Sequence, residues 1–266
     1  ELSNGAILVF LQGAGEINEL CARLKAHPGG QKWWVLPLHA SLPLEQQQDC
    51  FCTKWPDGMT SKIVVATNVA ETSVTIPDVT VVVDSCRERR MGVERTTNTP
   101  SLREQWCARD ALKQRRGRAG RVRAGVCFRL VSQKKFEAFA KTTPPEIQRA
   151  PLENIYLQVC ASRISDPAAF LACMPDPPDS LQVRFAETAL RDMGALDATA
   201  TDGLSPLGRH LAALPCHPRL GKILVLGCML TCPGPCLSIV SILSMRSPML
   251  HTADVHKRAA WQRARE

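Results

Sequence analysis

The sequence predicts an α/β domain built on a parallel sheet, followed by an all-helical region. Three observations predict it. Short, continuous apolar runs recur through the first half with helical segments between them, the pattern of parallel strands covered on both faces. Those runs stop after about residue 142, where TTPPE breaks regular structure. From there on, helical segments dominate. At 266 residues the chain has room for one large domain or two to three small ones.

The elements follow in order. The run at 7–12 (ILVFLQ) leads into Gly13, Gly15 and a helix over Glu16 to Lys25. Further strands are expected at 35–38 (VLPL), 63–67 (IVVAT), 79–84 (VTVVVD) and 125–131 (GVCFRLV). Open parallel sheets bind ligands beyond the carboxyl ends of their strands, and Gly13, Ser41, Thr67 and Asn68 stand at such ends. Between Val83 and Ala108, short alternating segments around polar turns predict a β-hairpin projecting from the sheet. Past the break, 151–162 suits a helix with Pro151 in its first turn, and 166–174 and 179–193 suit two more. A small hairpin around Asp202 and Gly203 follows, and three helices with such a wing predict a winged-helix module. Residues 207–214, 217–231, 236–245 and 253–265 read as helices. The expected division is 1–142, 143–206 and 207–266.

Charge is unevenly placed. Residues 87–135 hold 15 Lys and Arg against 4 Asp and Glu, a local balance of +11 in a chain of net charge +8. One basic belt on a near-neutral body suits a polyanionic partner, nucleic acid first, or else a solvated charged face. Twelve cysteines form no paired CxxC knuckles. Cys228, Cys232 and Cys236 fall four apart, with Pro233 and Pro235 interrupting, and read as small buried apolar residues, so no metal site is expected. No run of about 18 apolar residues is present, and no signal-peptide pattern opens the chain. These features lead to an expectation of reduced thiols and an intracellular location. Cytoplasm is favoured, with nucleus and mitochondrion open. The first residue is Glu1, and the expectation is a fragment or processed product.

Residues 114–121 read QRRGRAGR. Gln114, Arg118 and Arg121 bracket a turn that Gly117 and Gly120 are expected to hold open. Guanidinium forks bind phosphate oxygens bidentately and do not titrate. A glutamine orients water without carrying charge. Together they supply what phosphoryl transfer requires at a γ-phosphate. The plainer alternative is an exposed basic turn.

Ordered motifs over nearly the whole chain resemble the C-terminal motor half of DEAH-box RNA helicases, in the subgroup related to RNA helicase A. ILVFLQGAGEI (7–17) resembles motif IV, and LHASLPLEQQQDCF (38–51) the motif and helix after it. KIVVATNVAETSVTIPDV (62–79) resembles motif V, and QRRGRAGR motif VI. GVCFRLVS (125–132) and PPEIQRAPLENIYLQV (144–159) resemble the entry into the family's winged helix. GLSPLGRHLAALP (203–215) and RLGKILVLG (219–227) resemble the start of its ratchet-like helical domain.

The resemblance implies a RecA-like first domain and a set of roles. Gln114, Arg118 and Arg121 would face the ATP γ-phosphate across an interdomain cleft. Ser73 would sense nucleotide state, and Thr75, two residues on and on the same side of an extended strand, would lie near the ribose. Phe51 takes the place of an aromatic that stacks on adenine, or is a core phenylalanine after its helix. Gly13, Ser41, Thr67 and Asn68 would touch RNA phosphate and sugar, independently of sequence. Thr67 also reads as a strand-end cap. The hairpin would wedge bases apart, with Arg87, Arg89 and Arg90 on RNA or in solvent.

Two departures stand out. Many relatives carry an acidic, ribose-contacting residue where Pro77 stands, and here Asp78 comes one position later. The chain also has no GxxxxGK[ST] loop and no DEAH tetrapeptide, so the phosphate cradle and the Mg2+ carboxylate would belong to a first motor domain before Glu1. The expected protein is therefore an ATP- and Mg2+-dependent 3′-to-5′ RNA helicase or remodeller of a ribonucleoprotein such as a ribosomal complex, inactive as this piece alone. A non-hydrolysing RNA-binding scaffold and a DNA-directed helicase are the rival readings.

Overall fold

The computed structural model describes residues 5–72, 74–93, 100–121 and 124–245. They fall into two compact units that meet in sequence between Arg149 and Ala150. The strands of the first are β1 (Ala6–Phe10), β2 (Trp33–Leu38), β3 (Ser61–Ala66), β4 (Val79–Asp84), β5 (Arg87–Val93), β6 (Pro100–Trp106) and β7 (Val126–Arg129). Five form one parallel sheet in the order β2-β3-β1-β4-β7. Each expected sheet strand is present, within two residues at either end.

Both faces of this sheet are covered, which is why its strands are apolar without alternation. Ala6, Leu8 and Phe10 of β1 join one core cluster with Leu36, Leu38, Val64, Ala66 and Val82. Ile7 and Val9, pointing the other way, pack on a second cluster with Val35, Ile63 and Val65. Helix α1 (Ala14–Ala26) covers that second face through Ile17 and Cys21. It starts two residues earlier than Glu16, because Gly13 is the extended N-cap and both Ala14 and Gly15 are helical.

Short helices α2 (Leu44–Gln48) and α3 (Val69–Thr72) follow β2 and β3, and α4 (Arg109–Gly117) precedes β7. The projecting hairpin is β5 paired antiparallel with β6, Arg87 opposite Trp106. Its base is pinned where Cys107 N donates to the Cys86 carbonyl at 2.9 Å. Helix α5 (Gln133–Glu137) follows the sheet. Thr143 is held from two sides by the Asp110 carboxylate, at 2.7 and 3.0 Å, so the TTPPE segment stays with the first unit.

The second unit is helical: α6 (Glu153–Ala161), α7 (Pro167–Ala172), α8 (Ser180–Asp192), α9 (Pro206–Ala213), α10 (Pro218–Met229) and α11 (Pro233–Ser244). Asp166, Asp179 and Ser205 cap α7, α8 and α9 with side-chain acceptors at 2.9–3.0 Å, each worth about 1 kcal/mol. The small wing is a single antiparallel bridge, Leu196 to Leu204, with Gly203 at φ +68° in its turn. Among the described residues, no helix is long and apolar enough to cross a membrane.

Three expectations need correction. Pro151 is not in the first turn of α6, since Leu152 is the N-cap and Glu153 the first helical residue. Helix α10 ends at Met229, so no continuous helix carries the three cysteines, and Pro233 and Pro235 stand beyond that break. They occupy the first turn of α11, where a missing N–H costs nothing, and the helix therefore starts at Pro233 and not at 236. Cys228 and Cys232 are exposed and Cys236 half-buried, because they stand at the turn from α10 to α11 and not inside a core. The helix expected over 253–265 lies outside the described residues.

Candidate functional site

The carboxyl ends of the sheet strands are knit into one edge. Leu11 N donates to the Ala66 carbonyl, Thr67 N to the Leu38 carbonyl and Ser85 N to the Phe10 carbonyl, at 2.9–3.2 Å. Ser41 lies exposed in the turn after β2, and Asn68 is exposed at the start of α3. Thr67 is half-buried. Its hydroxyl accepts weakly from Val69 N at 3.5 Å, and its carbonyl takes the Ala70 N–H. The strand-end cap is therefore real for Thr67, and its hydroxyl still borders the exposed edge.

Gly13 is at the same edge, and a Cβ there would fall 2.4 Å from the Arg89 Nη1. The close approach that this glycine permits is made here by a hairpin arginine, which bonds Glu16 at 2.7 Å. The neighbouring hairpin arginines are paired as well. Arg87 pairs with Glu104 and lies 4.1 Å from the Trp106 ring, and Arg90 pairs with Glu88 at 2.5 Å.

The QRRGRAGR run does not form the expected glycine-held turn. Gln114 to Gly117 belong to α4, and a 3-10 turn over Arg118–Gly120 continues it. Gly117 has φ −59°, and a Cβ at Gly117 or Gly120 would meet no atom within 4 Å. The reason is local: ALKQRR favours helix strongly enough to absorb one glycine at its end.

Helical spacing then sorts the side chains. Gln114 and Arg118, four apart, stand on successive turns, and Arg115, about 100° from Gln114, points into the core. Gln114 is exposed. Arg118 is 6% exposed and donates to the carbonyls of Glu71 and Val74. Burial pulls its guanidinium below the usual arginine range, and the nearby charge of Arg121 adds to this. Arg121 is exposed and donates to the Thr75 hydroxyl. The arginine run and the segment after α3 are therefore one unit. Phe51 ends a 3-10 turn, half-buried, and packs with Val74 on the core cluster that contains Ala119. Ser73 lies outside the described residues.

Asp78 faces away from this site. It accepts from Lys62 Nζ at 3.1 Å and from Trp55 Nε1 at 3.0 Å. Lys62 is fully buried and also reaches the Cys52 carbonyl at 2.8 Å.

Sequence reasoning missed Arg115, fully buried at the centre of the unit. Its Nε meets Glu71 at 3.0 Å, its Nη1 meets Asp84 at 3.0 Å and the Arg87 carbonyl at 3.2 Å, and its guanidinium stacks over Phe10 at 4.9 Å. Burial alone would lower this guanidinium's pKa. The Asp84 carboxylate, with Glu71, outweighs burial and holds it above the usual range. Nothing in a run of arginines distinguishes this one. The available signal was Asp84 closing an apolar strand, a carboxylate that demands a cation when buried.

The comparisons with known proteins fit this geometry. Residues 1–123 match the helicase conserved C-terminal domain, and residues 217–266 the ratchet-like helicase-associated domain. A DExH-box ATP-dependent RNA helicase of Arabidopsis thaliana is 40% identical over 92% of the chain, which spans 25% of that protein. The chain belongs to the DExH/DEAH-box helicases of superfamily 2. Human ATP-dependent RNA helicase DHX29 is 37% identical over 92% of the chain and 18% of its own length. The crystal structure of the Escherichia coli DEAH/RHA helicase HrpB superposes with a TM-score of 0.81 at 32% identity, over 92% of this chain and 30% of that one. The first unit is thus the RecA-like parallel-sheet domain of this family, with the helical region following it. The chain spans about a quarter or less of the length of these curated relatives.

Proposed function

We propose that these 266 residues are the second motor segment of an ATP-dependent 3′-to-5′ RNA helicase or ribonucleoprotein remodeller. The observation that carries this reading is the union of the arginine run with the segment after α3. Arg118 is anchored on the backbone of Glu71 and Val74, and Arg121 sits on Thr75. Guanidinium groups set before the substrate arrives stabilise developing phosphoryl charge without reorganisation. Gln114, Arg118 and Arg121 would face the γ-phosphate, with Gln114 orienting the attacking water. Thr75 would approach the ribose, Ser73 would respond to nucleotide state, and Phe51 would stack on the adenine.

Mg2+ would neutralise phosphate charge in such a reaction. The residues of this site suit the phosphate and not the metal. They are cationic or neutral, and the nearby Glu71 carboxylate is taken by Arg115. The metal ligands and the phosphate cradle would come from a first motor domain, and this chain alone would not hydrolyse ATP. The strand-end set of Gly13, Ser41, Thr67 and Asn68 would grip the RNA backbone, with the β5–β6 hairpin as the wedge. The division into a motor domain, a winged helix and part of a ratchet domain, expected at 1–142, 143–206 and 207–266, belongs to the same reading, with its first boundary moved to Arg149, where the two compact units meet in sequence.

The test is ATP turnover of the complete protein with and without a short single-stranded RNA. Strong stimulation supports the motor. RNA binding without any hydrolysis would sink it in favour of a scaffold.

A further inference from the structure

The buried charges around Arg115 join two parts of the molecule that the proposed function treats separately. On one side is Glu71, whose carboxylate bonds Arg115 Nε at 3.0 Å and whose carbonyl takes a bond from Arg118. On the other side is the hairpin. The Arg87 carbonyl accepts from Arg115 Nη1 at 3.2 Å, and Glu88 lies just beyond. Glu88 is 3% exposed and is tied in turn to Arg90, at 2.5 Å, and across the hairpin to Gln105 Nε2, at 3.4 Å. Arg115 is thus bonded at once to the nucleotide-facing segment and to the base of the RNA-facing hairpin.

Two buried atoms of this network have no hydrogen-bond partner among the described residues, Asp84 Oδ2 and Arg115 Nη2. Arg115 Nη2 stands 4.0 Å from Glu88 Oε2, too far to bond. A buried unsatisfied donor is costly, and a movement of the hairpin base by about 1 Å would satisfy it. The structure shows the Arg115–Glu88 contact open, and such a movement would give a second state with it closed. Closure would pull on the guanidinium that also holds Glu71, and through Glu71 on the carbonyl that anchors Arg118.

We propose that Arg115 is a positioning residue that couples hairpin engagement by RNA to the placement of Arg118, through closure of the Arg115–Glu88 contact. This rests on the motor reading for the identity of the two ligands, but not on hydrolysis. Coupling between two binding sites is reciprocal and is measured at equilibrium. The experiment determines the affinity of the complete protein for a non-hydrolysable ATP analogue with and without saturating single-stranded RNA, and the converse.

In the wild type, each ligand is expected to shift the affinity of the other by the same factor, at least about 5-fold. Glu88→Gln removes the hairpin-side charge, leaves the Asp84 and Glu71 bonds of Arg115 intact and keeps an amide oxygen for Arg90 and Gln105, and an unchanged urea midpoint checks that the fold is retained. In this variant the factor is expected to fall below about 2-fold, with each ligand's affinity alone nearly unchanged. Arg115→Lys keeps the charge but cannot bridge three acceptors, and should lose the factor likewise. An undiminished factor in Glu88→Gln, or a wild-type factor of one, overturns the coupling. Neither result depends on turnover, so a protein that couples its ligands without hydrolysing ATP would fail the motor reading alone.

Discussion

Arg115 and Arg121 stand in the same eight-residue run, and their guanidinium groups end in opposite environments. Arg115 is fully buried, with Asp84, Glu71 and the Arg87 carbonyl as bonded partners. Arg121 is exposed at the edge of the sheet domain and touches one hydroxyl, that of Thr75. Arg118 lies between these cases, buried and bonded, among the described residues, to backbone carbonyls. Position along the run makes the difference, since Arg115 lies inside α4 and points into the core, whereas Arg121 follows the 3-10 turn at the exposed edge. One arginine-rich motif therefore supplies both the electrostatic centre of the domain and its candidate phosphate contacts. A basic run counted as net charge conceals that division.

Replacing each arginine sharpens the comparison. Arg115→Ala leaves the Asp84 carboxylate buried without its cation, and should lower the unfolding free energy by about 3–5 kcal/mol in a urea titration. A loss under about 1 kcal/mol would mean that water readily hydrates Asp84 and that the network is not structural. Arg118→Ala removes the donors to two carbonyls in a tight segment. It should cost about 1–3 kcal/mol and also cut ATP turnover of the complete protein about 10³-fold or more.

The smallest effect lies in the second unit, at an exposed pair that does not share this buried network. Arg209 bonds Asp202 at 2.9 and 3.0 Å in the wing, and together with the Leu204 N–H it holds the Asp202 carboxyl down to about 2. A depressed carboxyl contributes stability above its unfolded value of about 3.9 and loses it as pH falls through the folded value. Stability of the wing should therefore decline between about pH 4 and pH 2. In Arg209→Ala the Asp202 titration, followed by carboxyl NMR, should move up toward the ordinary value. An unmoved titration would assign the shift to the Leu204 N–H instead.

The sheet was legible because its strands are buried on both faces and so are apolar without interruption, as ILVF and VTVVVD show. The site edge was legible for the same reason, since polar residues at the ends of such strands have few other places to be. What stayed hidden was pairing across distance. Glu71, Asp84 and Glu88 lie 27 to 44 residues before Arg115, and only the fold brings them to it. The hairpin arginines look like free cations in sequence, yet Arg87, Arg89 and Arg90 each have a carboxylate partner. Gly117 looks like a turn residue, but the helix-forming residues before it decide its conformation.

The most direct test of the division between structural arginines and those proposed to be catalytic is Arg121→Ala in the complete protein, read in two ways at once. RNA-stimulated ATP turnover should fall about 10³-fold, while the unfolding free energy stays within about 0.5 kcal/mol of wild type. Wild-type turnover, or a loss of turnover accompanied by a comparable loss of stability, would contradict the assignment of Arg121 to the γ-phosphate.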